Sequence, residues 1–343
     1  MNIGVIGAGG AAAAATHVLD EALPGAEITV LEKSGGVCGR AATRRRGPVT
    51  YDYGANYVKG GDPRVVELLT EELSTEGLVS FKEPIYVFDG DGSVSTGRDN
   101  EGRRWTYREG LTIIAKRLFR GTDATVHRHT RVERIRNDGG WHLVDAAGTQ
   151  WGPFDVVLCN PPAPQTEELL READWESPAR EALIDATSAV EYRTIWTAVL
   201  GYEFELSVPY YALVNPEKDH EIGWIAREEC KPGHVPDGES VLVVQANHDW
   251  SVEHFEAPPE RVSDELATLT ADVVNEDQLA DPAWVDHQRW RYALPENGVA
   301  GGPVEGAAEE GLYVLGDWVA GDGRLHAALR NGIDTGERVA RDA

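Results

Sequence analysis

The chain has 343 residues, and its 58 acidic against 32 basic residues give a formal net charge of −26 at pH 7. Such a surface repels nucleic acid and anionic membranes, and no apolar run approaches the roughly 18 residues that a membrane-spanning helix needs. These numbers argue against nucleic-acid and membrane partners and indicate a globular chain long enough for one large or two interleaved domains.

The excess of carboxylates predicts a halophilic protein, built for a high-salt cytoplasm in which screening removes the self-repulsion of the surface. An acidic enzyme without that adaptation is the alternative. The first residues lack the basic segment and cleavage site of a signal peptide, which favours a cytoplasmic location. The three cysteines are far apart and have no CxxC spacing, so we expect neither a metal site nor a disulfide framework.

The start of the chain predicts a βαβ unit, with an apolar strand at 2–7, an alanine-rich helix at 10–22 and a second buried strand at 27–33. An Asp-Pro pair begins a predicted helix at 62–73, and residues 85–96 predict a hairpin with its turn near Asp91 and Gly92.

The middle and end of the chain alternate between helix and strand patterns. A helix is predicted at 110–119, and three or four alternating strands follow between residues 124 and 162. Further helices are predicted at 177–186 and 260–275, and further strands at 194–204, 221–226 and 240–251. The tail predicts a buried strand at 311–318 and a helix from about Leu325 to Ala340, and both the first and the last strand are apolar enough to be central in one sheet.

The glycine turn after the first strand predicts a dinucleotide site. Gly7, Gly9 and Ala12 match the G-x-G-x-x-[G/A] pattern, which permits a tight turn, close approach of a pyrophosphate and close packing of helix on strand. Glu32 follows the second strand, where its carboxylate can bond a ribose diol. Neighbours in the same two segments complete the predicted contacts: Gly10, Ala11 and Lys33.

The segment after Glu32 indicates which dinucleotide is bound. Its Gly39-Arg40 pair resembles the E-x-x-x-x-x-G-G-R extension of flavoprotein oxidases and reductases, with Cys38 in place of the first glycine. Arg40 would add charge-assisted bonds to the phosphates. A surface basic patch formed with the nearby arginines at 44–46 is the alternative interpretation.

A second flavin signal lies near the C-terminus, where a buried strand ends at Gly316 and Asp317 and a glycine loop then begins a helix. In flavoproteins of the glutathione-reductase and amine-oxidase type, such an aspartate bonds the ribityl chain, and the positive end of the helix stabilises the flavin pyrimidine. Asp317 acting only as a helix N-cap is the alternative. Together these motifs predict tightly held FAD.

The stretch GRAATRRRGPVTYDYGANYV at 39–58 resembles the renalase-like branch of the flavin amine oxidases, and later segments follow in the expected order over nearly the whole chain. The resemblance implies that backbone at Val132 meets the adenine, and that Ala55, Asn56 and Tyr57 lie near the isoalloxazine. Leu325, His326 and Ala327 stand where a Val-Glu-Gly-like step is expected.

This resemblance implies an α/β fold: a Rossmann-type FAD-binding domain with an inserted mixed-sheet substrate domain, as in amine oxidases. The predicted FAD-binding domain is discontinuous, formed by residues 1–60, 110–168 and 296–343. Residues 61–109 and 169–295 form the predicted substrate domain. The active-site lysine of amine oxidases has no convincing counterpart, since Lys59 and Lys231 both have structural interpretations.

The resemblance further implies oxidation of isomeric dihydronicotinamide dinucleotides, with O2 as acceptor and H2O2 as product. Hydride transfer needs the donor carbon near flavin N5 in a dry pocket. Trp290, Arg291 and Tyr292 are our first candidates for walls and an anion contact, and His248 is the one histidine we consider as an acid or base. Trp224, Trp250 and Trp196 are further candidates, and each aromatic has an alternative place in the core. An amine oxidase, a lipid or carotenoid desaturase, and a non-catalytic FAD-binding protein are the alternatives.

Overall fold

A computed structural model of the protein describes residues 1–97 and 102–343. The strands are, in chain order, β1 (Asn2–Ile6), β2 (Glu27–Leu31), β3 (Thr43–Arg46), β4 (Val49–Asp52), β5 (Val58–Lys59), β6 (Leu78–Phe81), β7 (Ile85–Phe88), β8 (Val94–Ser95), β9 (Arg104–Tyr107), β10 (Thr125–His127), β11 (Val132–Asn137), β12 (Trp141–Asp145), β13 (Gln150–Phe154), β14 (Val156–Cys159), β15 (Tyr192–Tyr202), β16 (Ala212–Val214), β17 (Ile222–Arg227), β18 (Ser240–Ala246), β19 (Trp284–Pro295) and β20 (Leu312–Val314).

The helices are, in chain order, α1 (Gly10–Ala22), α2 (Pro63–Glu67), α3 (Thr112–Arg120), α4 (Ala163–Arg171), α5 (Pro178–Ser188), α6 (His248–Glu253), α7 (Pro259–Val274), α8 (Gly301–Glu309), α9 (Asp317–Ala320) and α10 (Leu325–Asp342). The predicted βαβ unit, the hairpin of β7 and β8 and the long helices are confirmed. Five strands, rather than three or four, lie between residues 124 and 162.

The first sheet is parallel throughout and has the order β10-β2-β1-β14-β20, so both ends of the chain and its middle contribute strands. We call it the parallel sheet. The first strand is central, as predicted, but the prediction of a central last strand is wrong because β20 lies at the edge. It is apolar because both of its faces are covered: Leu312 and Val314 belong to one core cluster and Tyr313 to another.

A second sheet of seven strands, the large sheet, has the order β19-β15-β18-β17-β16-β7-β8. Its outer face packs on α6 and α7 around Trp196, Leu242 and Leu266. Its inner face packs on the β3–β4 hairpin through Val199, Val243 and residues of β4. Together the two sheets confirm the predicted α/β class with a mixed sheet.

The predicted strand at 240–251 is too long, since β18 ends at Ala246 and the helix α6 begins at His248. The sequence HDWS suits either state, and tertiary packing decides between them. As a helix, this segment buries Trp250 and Ser251 against β15, where the hydroxyl of Ser251 accepts the N–H of Trp196 at 2.9 Å.

Candidate functional site

The turn between β1 and α1 presents backbone, rather than side chains, beside the end of the parallel sheet. Gly7 has a φ of +88°, which glycine adopts without strain. A Cβ on Gly9 would lie only 2.5 Å from Oδ1 of Asn160, so glycine is required there. Within the described residues no side chain caps the N-terminus of α1. Its N–H groups and dipole therefore suit the negative charge of a phosphate.

The second glycine segment closes this turn from the side. The N–H of Cys38 donates to the carbonyl of Ala8 at 2.8 Å. Gly39 has a φ of +54°, and a Cβ on it would lie 3.7 Å from the Cα of Gly9. The two glycine segments therefore form one continuous backbone cradle.

Glu32 lies directly after β2 and is 7% exposed. Its carboxylate accepts the N–H groups of Ala8 and Ser34, each at 2.7 Å, and keeps lone pairs that ribose hydroxyls can use. The carbonyl of Glu32 accepts the N–H of Thr130 at 2.8 Å, which brings Val132, two residues further on, alongside. Lys33 points away, and its Nζ donates to Gln165 at 3.2 Å.

Arg40 and Asp317 form an ion pair although 277 positions separate them, with Nη2 of Arg40 2.7 Å from Oδ1 of Asp317. Arg40 also donates to the carbonyl of Ala293 at 2.9 Å, and Asp317 accepts the N–H of Trp318 at 2.9 Å. Burial alone lowers the pKa of Arg40, but the carboxylate of Asp317 outweighs it and raises that pKa above its ordinary value. The two flavin motifs of the sequence thus meet in space.

The N-termini of α1 and α10 also meet. Cδ1 of Leu325 lies 3.1 Å from the position of a Cβ on Gly10. Ala11 and Ala12 are fully buried, and a side chain at Gly332 of α10 would collide with the carbonyl of Ala11. Among the described residues no side chain caps α10 either. The positive N-termini of α1 and α10 therefore lie together, beside Glu32 and the glycine cradle. The two helix ends, the cradle and Glu32 fit the FAD that the sequence predicts.

His326 is the second residue of α10, and its side chain is 17% exposed. Its Nε2 lies 3.7 Å from the carboxylate of Asp322. Burial lowers the pKa of His326; Lys59 and Arg324 act in the same direction, whereas Asp322 and Asp62 oppose them. The ring is therefore neutral at pH 7 and adds no charge to the helix end. Ala327, next in the helix, is half-buried.

The segment Gly54–Tyr57 is held between the cradle and the large sheet. The N–H of Ala55 donates to the carbonyl of Arg40 at 2.9 Å, and a Cβ on Gly54 would collide with that same carbonyl. The carbonyl of Gly54 accepts Nε2 of Gln245 at 2.8 Å. This segment, which the resemblance places near the isoalloxazine, is therefore fixed from both sides.

Polar side chains line the inner face of the large sheet opposite this segment. Thr197 lies between Gln245 and Gln288 on the neighbouring strands, and Trp224 pairs with Gln245. Alternate residues of a strand point to the same face of the sheet. The side chains of Thr197, Gln288 and Trp224 therefore lie on the inner face together with Gln245, whose amide donates to the carbonyl of Gly54. Four buried polar atoms in this region have no hydrogen-bond partner among the described residues: Asn56 Oδ1, Thr197 Oγ1, Tyr211 OH and Trp224 Nε1.

The structure separates the three candidate catalytic residues. Trp290 lies on the inner face, where its ring stacks on Tyr53 at 5.4 Å and its Nε1 donates to the carbonyl of Tyr53 at 3.2 Å. Arg291 points the opposite way, as neighbours in a strand do; its guanidinium lies 4.3 Å from the ring centre of Phe255 and 3.4 Å from Glu256. His248 begins α6 on the outer side, and its Nδ1 accepts the N–H of Thr194 at 2.9 Å.

Because of this placement, Arg291 and His248 lie outside the inner face of the large sheet. The further candidates divide in the same way. Trp224 shares the inner face, whereas Trp196 and Trp250 belong to the core under α6 and α7. Tyr292 packs edge-on against Tyr192.

A depression of about 630 Å³ lies along β19 at the edge of the large sheet, with residues from both faces of that strand in its wall. The guanidinium of Arg44 forms part of its wall and lies 4.2 Å above the ring of Tyr53. The other lining residues are predominantly polar: Phe255, Glu256, Asp286, His287, Gln288 and Arg289. This wall suits a polar ligand better than a hydrocarbon chain.

Sequence reasoning missed a buried charged cluster. Asp52, Glu228 and His234 bring ligand-type atoms within 4.8 Å of one another, and Lys231 lies among them. The E-x-x-K-x-x-H spacing at 228–234 is the signal that could have indicated it. Asp52 comes from a distant strand, so its partners were not visible in the sequence.

Comparison with known proteins gives two family matches. Residues 5–71 match an NAD(P)-binding Rossmann-like domain. Residues 85–340, most of the chain, match the family described as flavin-containing amine oxidoreductase.

Solved structures with the same fold cover nearly all of the chain. A protein assigned as a protoporphyrinogen oxidase from Exiguobacterium sp. 255-15 has a TM-score of 0.82 at 14% identity, covering 100% of this chain and 99% of its own. Cyclohexylamine oxidase from Brevibacterium oxydans IH-35A has a TM-score of 0.77 at 12% identity, covering 99% of each chain. A putrescine oxidase bound to putrescine has 0.75 at 13% identity, again covering 99% of each. At these identities the likeness shows the fold.

In the part of the chain that the structure describes, no helix has the length and apolar character needed to cross a membrane.

Proposed function

Because the chain belongs to the family of flavin-containing amine oxidoreductases, and is thus an FAD-dependent oxidoreductase, we propose that its electron donor is an isomeric dihydronicotinamide dinucleotide. The donor loses a hydride and becomes NAD(P)+. Dioxygen takes up this hydride equivalent and one proton and leaves as hydrogen peroxide. The bound flavin supplies the hydride acceptor, its N5 atom.

The observation that carries this proposal is the set of buried polar atoms, in and opposite Gly54–Tyr57, that have no hydrogen-bond partner among the described residues. A buried polar atom without a partner costs free energy, so a site retains such atoms when a ligand satisfies them. A nicotinamide carboxamide offers both an NH2 donor and a carbonyl acceptor. The acceptor Asn56 Oδ1 and the donor Trp224 Nε1 complement these two groups.

The residues of the chain have binding and orienting roles in this proposal. Trp290 and Trp224 present flat walls, and Gln245 holds the carbonyl of Gly54 so that the segment beside the flavin stays in place. Hydride transfer from a dihydronicotinamide needs no general base. The inner face carries the carboxylate of Asp286, which is held by Arg44 at 3.1 Å and by the hydroxyl of Tyr51 at 2.7 Å, and the reaction gives it no catalytic role.

Amine oxidation is the competing function, since two of the similar structures are amine oxidases. One observation weighs against it. The guanidinium of Arg104 already lies 5.5 Å from the ring centre of Tyr57 and 5.9 Å from that of Tyr211. A second cation at these rings would be repelled by the first.

Anaerobic stopped-flow tests the proposal, with the purified holoenzyme in concentrated KCl and the visible flavin band as the signal. We expect isomeric dihydronicotinamide dinucleotides to bleach the band, and putrescine, cyclohexylamine and a fatty acid to leave it unchanged. Bleaching by an amine but by no dihydronicotinamide isomer would replace our proposal with amine oxidation.

A matched pair of variants tests the role of the inner face. Trp224→Phe removes a donor at this face, so we expect KM for the donor to rise about two- to tenfold with little change in kcat, since one hydrogen bond contributes about 0.5–1.5 kcal/mol. Trp250→Phe, on the outer face, is the control and should leave KM unchanged. Equal effects of the two variants would contradict the assignment of Trp224.

A further inference from the structure

Four ionisable side chains, Asp52, Glu228, Lys231 and His234, are each 0% exposed and lie together where β4 meets the segment between β17 and β18. We call this group the charge lock. Asp52 ends β4, which leads directly into the segment Gly54–Tyr57 beside the flavin. None of the four residues is on the inner face of the large sheet that we propose as the donor pocket.

Lys231 supplies the cation that holds the two carboxylates together. Its Nζ lies 2.6 Å from Oε1 of Glu228 and 3.2 Å from Oδ2 of Asp52. Burial alone lowers the pKa of Lys231, but Glu228 and Asp52 outweigh it and raise that pKa above its ordinary value. The ammonium therefore occupies the place that a metal ion would need, so the cluster is not a metal site.

The two ring nitrogens of His234 have different partners. Its Nε2 lies 2.9 Å from the carbonyl of Tyr107, which can only accept, so Nε2 carries a proton. Its Nδ1 lies 2.9 Å from Oε2 of Glu228. Burial raises the pKa of Glu228, but Lys231 and His234 outweigh it and hold that pKa below its usual range. His234 therefore joins Glu228 to the backbone at the end of β9.

Two further ionisable neighbours stay neutral. Burial, followed by the carboxylate of Glu228, raises the pKa of Tyr211 well above 10. Burial raises the pKa of the Cys38 thiol to about 12, with Asp52 adding to the effect. The carboxylates of Asp52 and Glu228 thus share Lys231 as their counter-charge, and such pairing is the condition for keeping charges away from solvent.

Backbone bonds connect the lock to β4. Oε2 of Glu228 accepts the N–H of Asp52 at 3.1 Å, and the carbonyl of His234 accepts the N–H of Thr50 at 2.7 Å. Oδ1 of Asp52 accepts the N–H of Leu111 at 3.0 Å. Residues of the charge lock therefore accept the backbone N–H groups of Thr50 and Asp52 in β4, shortly before the flavin segment Gly54–Tyr57.

We propose that the charge lock positions Gly54–Tyr57 for the cofactor. Its members are positioning residues, since they act on the flavin segment through β4. The proposal does not depend on the identity of the electron donor, because the family membership alone requires the flavin segment to be in place.

The first test asks whether the ring of His234 is held in place in the wild-type holoenzyme. The protein is labelled with ¹⁵N-histidine, and the signal of His234 is assigned by its loss in His234→Gln. We expect the Nε2 proton, which the carbonyl of Tyr107 accepts at 2.9 Å, to exchange with solvent far more slowly than that of an exposed histidine. Exchange as fast as that of an exposed histidine would overturn the proposal, whatever the donor proves to be.

The second test separates positioning from general stability. Hydrogen exchange of the peptide that contains residues 50–57 is compared in His234→Gln and in Leu266→Ala, a core variant of α7 far from β4. At KCl concentrations that equalise their unfolding free energies, we expect this peptide to exchange about tenfold faster in His234→Gln, a local opening free energy smaller by about 1.4 kcal/mol. Equal exchange in both variants would show that the lock does not position the segment.

A double-mutant cycle tests the pairing of Lys231 with Asp52 itself. Asp52→Asn removes one carboxylate, Lys231→Met leaves both carboxylates without their shared cation, and the double variant removes one charge of each sign. We expect FAD to bind the double variant more tightly than the product of the two single effects predicts. Independent effects of the two substitutions would contradict a charge lock; if a single variant does not fold, the two preceding measurements still decide.

Discussion

The cofactor cradle and the inner face that we propose as the donor pocket present different groups to a ligand. The cradle uses backbone: the turn at Gly7–Gly10, the segment at Gly39 and the N-termini of α1 and α10. The inner face uses side chains, among them Thr197, Trp224 and Gln245, which come from three strands. A backbone site is determined by local sequence, whereas a side-chain site is determined by the register of distant strands. A single substitution in the cradle should therefore weaken ligand binding strongly, whereas a single substitution on the inner face should weaken it only moderately.

The largest expected effect is on the cradle. Gly9→Ala places a Cβ 2.5 Å from Oδ1 of Asn160, so either the turn or the Asn160 side chain, whose Nδ2 donates to the carbonyl of Leu315 at 3.0 Å, must shift. We expect FAD affinity to fall about 10- to 100-fold, since overpacking costs about 1–3 kcal/mol. Gly36→Ala, where a Cβ would meet nothing within 4 Å, is the control. Full flavin occupancy in purified Gly9→Ala would contradict the expectation that one substitution in the cradle strongly weakens FAD binding.

A smaller but still large effect is expected at the junction of the two flavin motifs. Asp317→Ala removes the carboxylate that pairs with Arg40 at 2.7 Å and leaves a half-buried guanidinium without its counter-charge. We expect at least about tenfold weaker FAD binding, measured by ultrafiltration, because hydrogen bonds to charged groups contribute about 1.5–3 kcal/mol. Asp317→Asn, which keeps an acceptor, should retain more flavin than Asp317→Ala; equal loss would indicate that shape alone matters.

Salt should act on both regions together. The net charge of −26 makes self-repulsion a property of the whole surface. Raising KCl from about 0.1 M to about 1 M shortens the Debye length from about 10 Å to about 3 Å, so we expect Tm to rise. Thermal scans that follow flavin fluorescence and tryptophan fluorescence in parallel test this. Flavin release well before unfolding at low salt would show that the cradle is the weaker region.

The inner face should show opposite effects on stability and on binding. Thr197→Val removes a buried hydroxyl that has no partner, so we expect the unfolding free energy to increase by up to about 1 kcal/mol and KM for the donor to rise. Thr187→Val is the control, since its hydroxyl donates to the carbonyl of Leu183 at 2.9 Å and its loss should only destabilise. If Thr197→Val also destabilises, then the hydroxyl has a structural role.

The smallest expected effect is a dependence on pH at the end of α10. Burial lowers the pKa of His326 below 6.5, so the folded protein binds this proton less readily than the unfolded chain does. The associated stability is present above pH 6.5 and is lost as the pH falls through the lowered pKa. We expect His326→Gln to flatten the fall in urea-unfolding free energy between pH 7 and pH 5. An unchanged slope would mean that other groups cause it.

Much of the fold could be predicted because its signals are local. The βαβ unit, the hairpin of β7 and β8 and the helices α3, α7 and α10 follow from periodicity and turn residues over short windows. The edge position of β20 and the helical state of His248–Glu253 could not be predicted, because a strand buried on both faces looks central and a short amphipathic segment suits two states. Packing against other elements decided both.

The candidate site divides in the same way. The sequence proposed Trp290, Arg291 and His248 together, and the structure places Trp290 on the inner face and the other two on the other side of the sheet. The alternation of a strand assigns neighbours to opposite faces, but only the tertiary structure shows which face meets the cofactor. Gln245 and Thr197 carry no local motif and were missed for that reason, and the charge lock was missed because Asp52 comes from a distant strand.

The sequence by itself determined the dinucleotide cradle, since close approach of backbone to phosphate requires glycine at fixed spacings along a few residues. Only the tertiary structure decided that Arg40 pairs with Asp317 across 277 positions, which side chains face Gly54, and that Lys231 lies between Asp52 and Glu228 in the interior. The physical reason is that such contacts depend on distances between remote segments, and these distances are set by how the two sheets pack rather than by any local preference of the chain.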